Sequence, residues 1–208
     1  FYRIPVLPSR RVGDLDEAGG AALAESSGGK ISFRRTDVTS ETDIVALLKA
    51  AADLGGLDIL FNNAGAGGQR ARIDEIDLAG WDATMALLLR SVALGIRHAT
   101  PLMAARGGGA IVNTASIAAL AAGAAPTPYS VAKAGVLHLS KVAAADLARY
   151  KIRVNAVCPG FITTNIFTSA LGLDGAQRTQ ANAVIEGMAG QAQPIARPGR
   201  PEDIAAAV

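Results

Sequence analysis

"LDILFNNAG", Leu57 to Gly65, is a short apolar run that passes without alternation into two asparagines and a glycine. A strand covered on both faces reads as such a run, and it leaves its sheet into a polar turn at its carboxyl end. Upstream, Val12 to Leu15 reads as the tail of a strand, and Asp16 to Ser26 as a small-residue helix stopped by "SSGG". "ISFRRTDV" reads as the next strand. Ser40 with Asp43 resembles a capping box opening a helix to about Leu54, with Ile44, Leu47, Leu48 and Ala51 on one face. Downstream come a long helix from about Leu78 to Ala105, a strand "AIVNTAS", a loop of Ala, Gly and Pro, a helix from about Pro128, and a strand "IRVNAVCPG". This alternation predicts an α/β fold: an open, doubly wound parallel sheet joined by right-handed crossovers.

The 208 residues, 50% hydrophobic and 18% charged, are expected to form one domain over 1–208. A net charge of +2, with no Lys or Arg run longer than two, points away from nucleic acid and anionic membranes as partners. Cys158 is the single cysteine, which excludes an intrachain disulfide and fits a cytoplasmic setting. No ungapped apolar stretch has the length of a membrane span, and no signal peptide is read. Both ends read as cuts: "FYRIPVLPSRR" lacks an initiator Met, and "RPEDIAAAV" stops in the first turns of a helix.

"PYSVAKAGV", Pro128 to Val136, places Tyr129 and Lys133 four residues apart. On a helix they share one face with their tips within reach. Asp14, Asp37, Asn62 to Gly65, Ser116 and Pro159 to Thr164 each fall at the carboxyl end of a predicted strand. Ligands of open α/β sheets bind at that edge.

These residues resemble the short-chain dehydrogenase/reductase family along nearly the whole chain. "NNAG" follows the strand that is fourth in that family, Ser116 stands thirteen residues before Tyr129 (129 − 116 = 13), "YSVAK" has the form Tyr-x-x-x-Lys, and "PGFITT" follows the next strand. The resemblance implies a Rossmann-like fold and a nicotinamide-dependent oxidoreductase acting on a secondary alcohol or its ketone. It makes Tyr129 the general acid/base, Ser116 the hydrogen-bond partner of the substrate oxygen, and Lys133 both the cation that favours phenolate and the holder of the nicotinamide ribose. Asp14 would bind the adenosine ribose and favour NAD over NADP; a helix cap is the other reading of that carboxylate. Asp37 and Val38 would flank adenine, and Asn63, Ala64 and Gly65 the ribose. Pro159, Gly160, Ile162 and Thr164 would line the carboxamide side, with plain loop packing as the alternative for the last two. No metal is implied, and the full-length form is expected to be a homodimer or homotetramer.

Two departures stand out. Where family members often carry Asn in the long fourth helix, this chain has Leu88, which cannot hold a proton-relay water. The family's first strand and its glycine-rich phosphate turn, expected before Asp14, are missing, and a last strand after Val208 likewise. These departures keep open a catalytically inactive remnant serving as a binding or oligomerisation module. A dehydratase or epimerase of nucleotide sugars is a third reading. Substrate choice is assigned to a lid over residues 165–192, with apolar Phe167, Leu171, Leu173 and Met188.

Overall fold

The computed structural model describes residues 10–164, 166 and 175–208. The lid residues Phe167, Leu171 and Leu173, and the side chain of Met188, lie outside the described residues. The first unit is β1 (Arg10–Asp14), α1 (Glu17–Ser26), β2 (Ile31–Arg35) and α2 (Glu41–Ala52). Asp16 caps α1, its Oδ1 accepting from Gly19 N–H at 2.9 Å, and Ser40 Oγ caps α2 by accepting from Asp43 N–H at 3.3 Å. Each cap satisfies a helix N–H that has no partner within the helix. β1 and β2 pair in parallel, with Val12 opposite Phe33. α1 lies against Phe33 through Gly20, while Gly13, one residue on from Val12, faces Leu47 of α2. Successive strand residues point to opposite faces, so the two helices cover opposite sides of the pair. That is double winding at its smallest.

The second unit is β3 (Ile59–Asn62), α3 (Leu78–Met85), α4 (Ser91–Ala104), β4 (Gly109–Thr114), α5 (Thr127–Leu147) and β5 (Ile152–Val157). All three strands are parallel in the order β3-β4-β5, with Asn62 paired to Asn113 and Thr114 to Val157. α6 (Gly175–Ala192) and α7 (Pro201–Ala205) follow, and a bridge between Ile162 and Gly199 closes the chain onto the loop after β5. The Rossmann-like parallel α/β architecture expected from the alternation is present. Among the described residues, the strands form two separate sheets, β1-β2 and β3-β4-β5.

The long fourth helix is not one regular helix: Ala86–Arg90 form a π turn between α3 and α4. Helices bulge this way mostly at single turns and often beside functional sites. The continuous helix Leu78–Ala104, with a window of mean hydropathy 1.2, is long and apolar enough by composition to cross a membrane, contrary to the expectation of no such stretch. Its apolar side is spent inside the molecule: Val92, Ile96, Ala99 and Met103 join Ile111, Val136 and Ile152 in the core.

Candidate active site

α5 begins at Thr127, whose N–H donates to Ala71 O at 3.1 Å, with Pro128 in the first turn, where its missing N–H costs nothing. This start places Tyr129 in the first turn and Lys133 one turn on. Lys133, 4% exposed, donates from Nζ to Thr114 O at 2.7 Å, and the ammonium stands 5.7 Å from the Tyr129 ring centroid. The residue that carries that carbonyl also donates from Oγ1 to Asn63 Oδ1 at 2.9 Å. Thr114 therefore organises both partners. It sits inside the quoted "VNTAS", yet sequence reading singled out only Ser116; its backbone role has no side-chain signature.

Ser116 is pinned on both sides by β5 and the loop after it: Ala115 N–H donates to Val157 O at 2.8 Å and Ile117 N–H to Pro159 O at 3.0 Å. Its Oγ accepts from Ala118 N–H at 3.1 Å and lies near enough to Tyr129 to pull the phenol's pKa down. The hydroxyl serves the turn and faces the phenol at once.

Burial, outweighing the opposing pull of the Ser116 hydroxyl, pushes the Tyr129 phenol above its usual value. Burial also pulls Lys133 down to about 8. In this pocket the cost of removing the phenolate from water outweighs the neighbouring hydroxyl that favours it.

Leu88, 1% exposed, lies in the π turn. A Cβ added to Gly65 would stand 3.0 Å from Leu88 Cδ2 and 4.0 Å from Lys133 Nζ, so a methyl group closes the space beside the lysine. The side chain at position 88 has no group that could hydrogen-bond a water.

Asp14 does not cap α1; that role belongs to Asp16, whose N–H donates to Asp14 Oδ1 at 3.0 Å. The Asp14 carboxylate remains exposed at the end of β1. Asp37 Oδ1 accepts from Thr39 N–H at 2.8 Å and Thr39 Oγ1 at 2.7 Å, which lowers its pKa, and Val38 packs against the core. Ala64 and Gly65 are exposed. Pro159 and Gly160 border the Ser116 turn, and a Cβ on Gly160 would meet Ile117 at 3.8 Å. Ile162 is held by the Gly199 bridge, and Thr164 Oγ1 accepts from Ile166 N–H at 3.4 Å. The structure gathers Ser116, Tyr129, Lys133, Asn63 and Gly65 around the ends of β3 and β4. Asp14 ends β1 of the other sheet and Asp37 lies in the loop after β2, where Arg90 of the π turn donates to Thr39 O at 3.0 Å.

These groups fit a nicotinamide dinucleotide at its two riboses: a buried ammonium beside an exposed glycine at one end, an exposed carboxylate at the other. A phosphate-seating turn between a first strand and its helix is not among the described residues; "GAGG" follows β3, and Gly107 and Gly108 turn α4 into β4 with φ of 85° and 140°.

The family model described as enoyl-(acyl carrier protein) reductase matches residues 11–208. The chain is 39% identical over 200 residues to cis-4-hydroxycyclohexanecarboxylate dehydrogenase of Sinomonas cyclohexanicum, covering 95% of this chain and 76% of that protein. It is 36% identical over 200 residues to 2-(S)-hydroxypropyl-CoM dehydrogenase 3 of Xanthobacter autotrophicus, covering 94% and 76%. It is also 36% identical over 165 residues to the maize sex determination protein tasselseed-2, covering 76% of this chain and 49% of that protein. The crystal structure of levodione reductase superposes with a TM-score of 0.80 at 28% identity, covering 96% of this chain and 78% of that one. The chain belongs to the short-chain dehydrogenase/reductase family. That family comprises nicotinamide-dependent oxidoreductases of alcohols and ketones.

Proposed function

We propose that the protein is an NAD-dependent dehydrogenase/reductase of an apolar secondary alcohol and its ketone, with Tyr129 as the proton-transferring group. The observation that carries this reading is the buried Lys133 ammonium, held by Thr114 O at 2.7 Å and 5.7 Å from the Tyr129 ring, with the Ser116 hydroxyl beside the phenol. A phenol held protonated is an acid at neutral pH, which suits ketone reduction: Ser116 and Tyr129 both hydrogen-bond the carbonyl oxygen, and Tyr129 Oη gives it a proton as negative charge develops there. Bound reduced nicotinamide supplies the hydride. Lys133, tied to Thr114 O, keeps positive charge next to the phenolate that remains.

The Asp14 carboxylate supports NAD, because it accepts hydrogen bonds from ribose hydroxyls and repels a 2′-phosphate. The ten residues from Ile117 to Pro126, which join Ser116 to α5, include no charged or hydrogen-bonding side chain, which supports an apolar substrate body. The groove between α4 and α5, lined by Ile96, Leu139, Val142 and Ala143, supports a homo-oligomer, and the single cysteine supports a cytoplasmic location. The inactive-module reading keeps one observation, the apolar Leu88 beside Lys133.

One experiment tests the proposal: oxidation of NADH and NADPH with a panel of apolar ketones, on protein expressed from its complete gene, in wild type and Tyr129→Phe. The phenylalanine variant is expected to keep its cofactor affinity and lose at least ~10² in turnover. Retention of more than a tenth of the rate rejects Tyr129, and faster turnover with NADPH rejects Asp14 as selector. No turnover in wild type favours the inactive module.

A further inference from the structure

Behind the site runs a second line of polar groups that the proposed chemistry does not touch. Asn62 Nδ2, at the end of β3, donates to Asn113 Oδ1 of β4 at 2.8 Å. Asn113 Nδ2 donates to Ser140 Oγ of α5 at 2.9 Å, and Ser140 Oγ donates to Val136 O at 2.7 Å. Asn113 is 0% exposed and Ser140 3%. Ser140 gives its one hydroxyl proton to Val136 O and so accepts from Asn113 Nδ2, which leaves Asn113 Oδ1 to accept from Asn62. Each strand residue of this line immediately precedes one at the site: Asn62 before Asn63, Asn113 before Thr114.

Lys133, Val136 and Ser140 follow at i, i+3 and i+7 and are all buried, so they form the stripe of α5 that faces the sheet. Leu, Ile or Val on that stripe would hold the helix to the sheet without setting its rotation, because apolar contact is not directional. The bond from Asn113 to Ser140 does set it. A turn of α5 about its axis, or a slide along β4, would break that bond and carry Lys133 away from Thr114 O and Tyr129 away from Ser116.

We propose that Asn113 and Ser140 are positioning residues for the Ser116, Tyr129 and Lys133 group: the buried line Asn62, Asn113, Ser140 fixes the rotation and register of the catalytic helix on the sheet. This inference rests on the proposed oxidoreductase reading for its kinetic test but not for its spectroscopic one. Displacement of reacting groups by about 1 Å can cost ~10² in rate, so the effect should appear in turnover rather than in binding.

The test uses protein expressed from its complete gene. Ser140→Ala is expected to lower kcat about tenfold or more with KM within about twofold of wild type, and Ser140→Thr, which keeps the hydroxyl, to restore it. Ser140→Ala also leaves a buried N–H of Asn113 without a partner, so lost stability must be separated from lost geometry. The double variant Asn113→Leu/Ser140→Ala removes both partners and is expected to regain thermal stability while kcat stays low. Recovery of kcat together with stability would make the line purely structural and overturn the proposal. Independently of turnover, the phenolate of Tyr129 can be titrated by ultraviolet absorbance, taken as the difference from Tyr129→Phe. A midpoint displaced in Ser140→Ala and restored in Ser140→Thr supports positioning, and one unmoved in Ser140→Ala rejects it. Absence of turnover in wild type would defeat the oxidoreductase reading alone, and the titration would still decide this one.

Discussion

Lys133 carries an ammonium into a pocket walled by Leu88 and gives it one hydrogen bond from Nζ, to Thr114 O. A lysine so placed is easier to deprotonate folded than unfolded, about 8 against 10.5. Below pH 8 both states hold the proton and the folded chain bears the whole cost of the buried charge. Between about 8 and 10.5 the unfolded chain keeps a proton that the folded chain has released, so unfolding takes one up and stability rises with pH. Tyr129 works the other way, but only above pH 10, because its raised value lets the unfolded phenol ionise first. Denaturant unfolding followed by circular dichroism from pH 7.5 to 9.5 is therefore expected to show wild type gaining about 2 kcal/mol relative to Lys133→Met. A flat difference would mean that the lysine is not desolvated. Sequence spacing found the Tyr129 and Lys133 pair, because four residues on a helix fix a shared face. The burial that raises the phenol was not legible there, because it depends on what the rest of the chain stacks around that face.

Helix boundaries were legible where a side chain does the capping: the Ser40 and Asp43 pair and the stop after Ser26 fall where the sequence places them. The π turn at Ala86–Arg90 was not, since no proline or glycine marks it and its cause lies in packing. Gly20 shows the same division within α1. Helix propensity alone makes Gly20→Ala favourable by ~1 kcal/mol. In the structure a Cβ there would overlap the Phe33 ring of β2, and overpacking of that kind costs about 1 to 3 kcal/mol. Three ring atoms within the overlap put the cost at the upper end, so we expect a net loss of about 1 to 2 kcal/mol in urea unfolding. An equal or more stable variant would show that α1 can lift from β2 without penalty.

Across the whole molecule, the two parallel sheets carry different loads. β4 has a partner on each side and buries Ile111, Val112 and Asn113. β1 and β2 pair only with each other among the described residues, and a two-stranded sheet is marginal unless helices cover it. Their links to the larger unit run through α2 and the single bond from Arg90 to Thr39 O. Hydrogen exchange of the 208-residue polypeptide is expected to show amides of β1 and β2 opening at lower free energy than those of β4 and β5. Equal protection across the five strands would show one cooperative unit despite the split.

The parallel α/β class, the order of its elements, and the shared face of Tyr129 and Lys133 were determined by the sequence itself, because hydrophobic period, caps and spacing are local and survive without knowledge of neighbours; Ser116 joined that pair through the family resemblance. What only the tertiary structure decided are the contacts between distant segments: Thr114 O as the seat of the Lys133 ammonium, Leu88 as the wall beside it, and the buried line from Asn62 to Ser140. Each depends on a backbone carbonyl, a burial or a register set between strands more than fifty residues apart or between a strand and a helix. No local pattern encodes those distances.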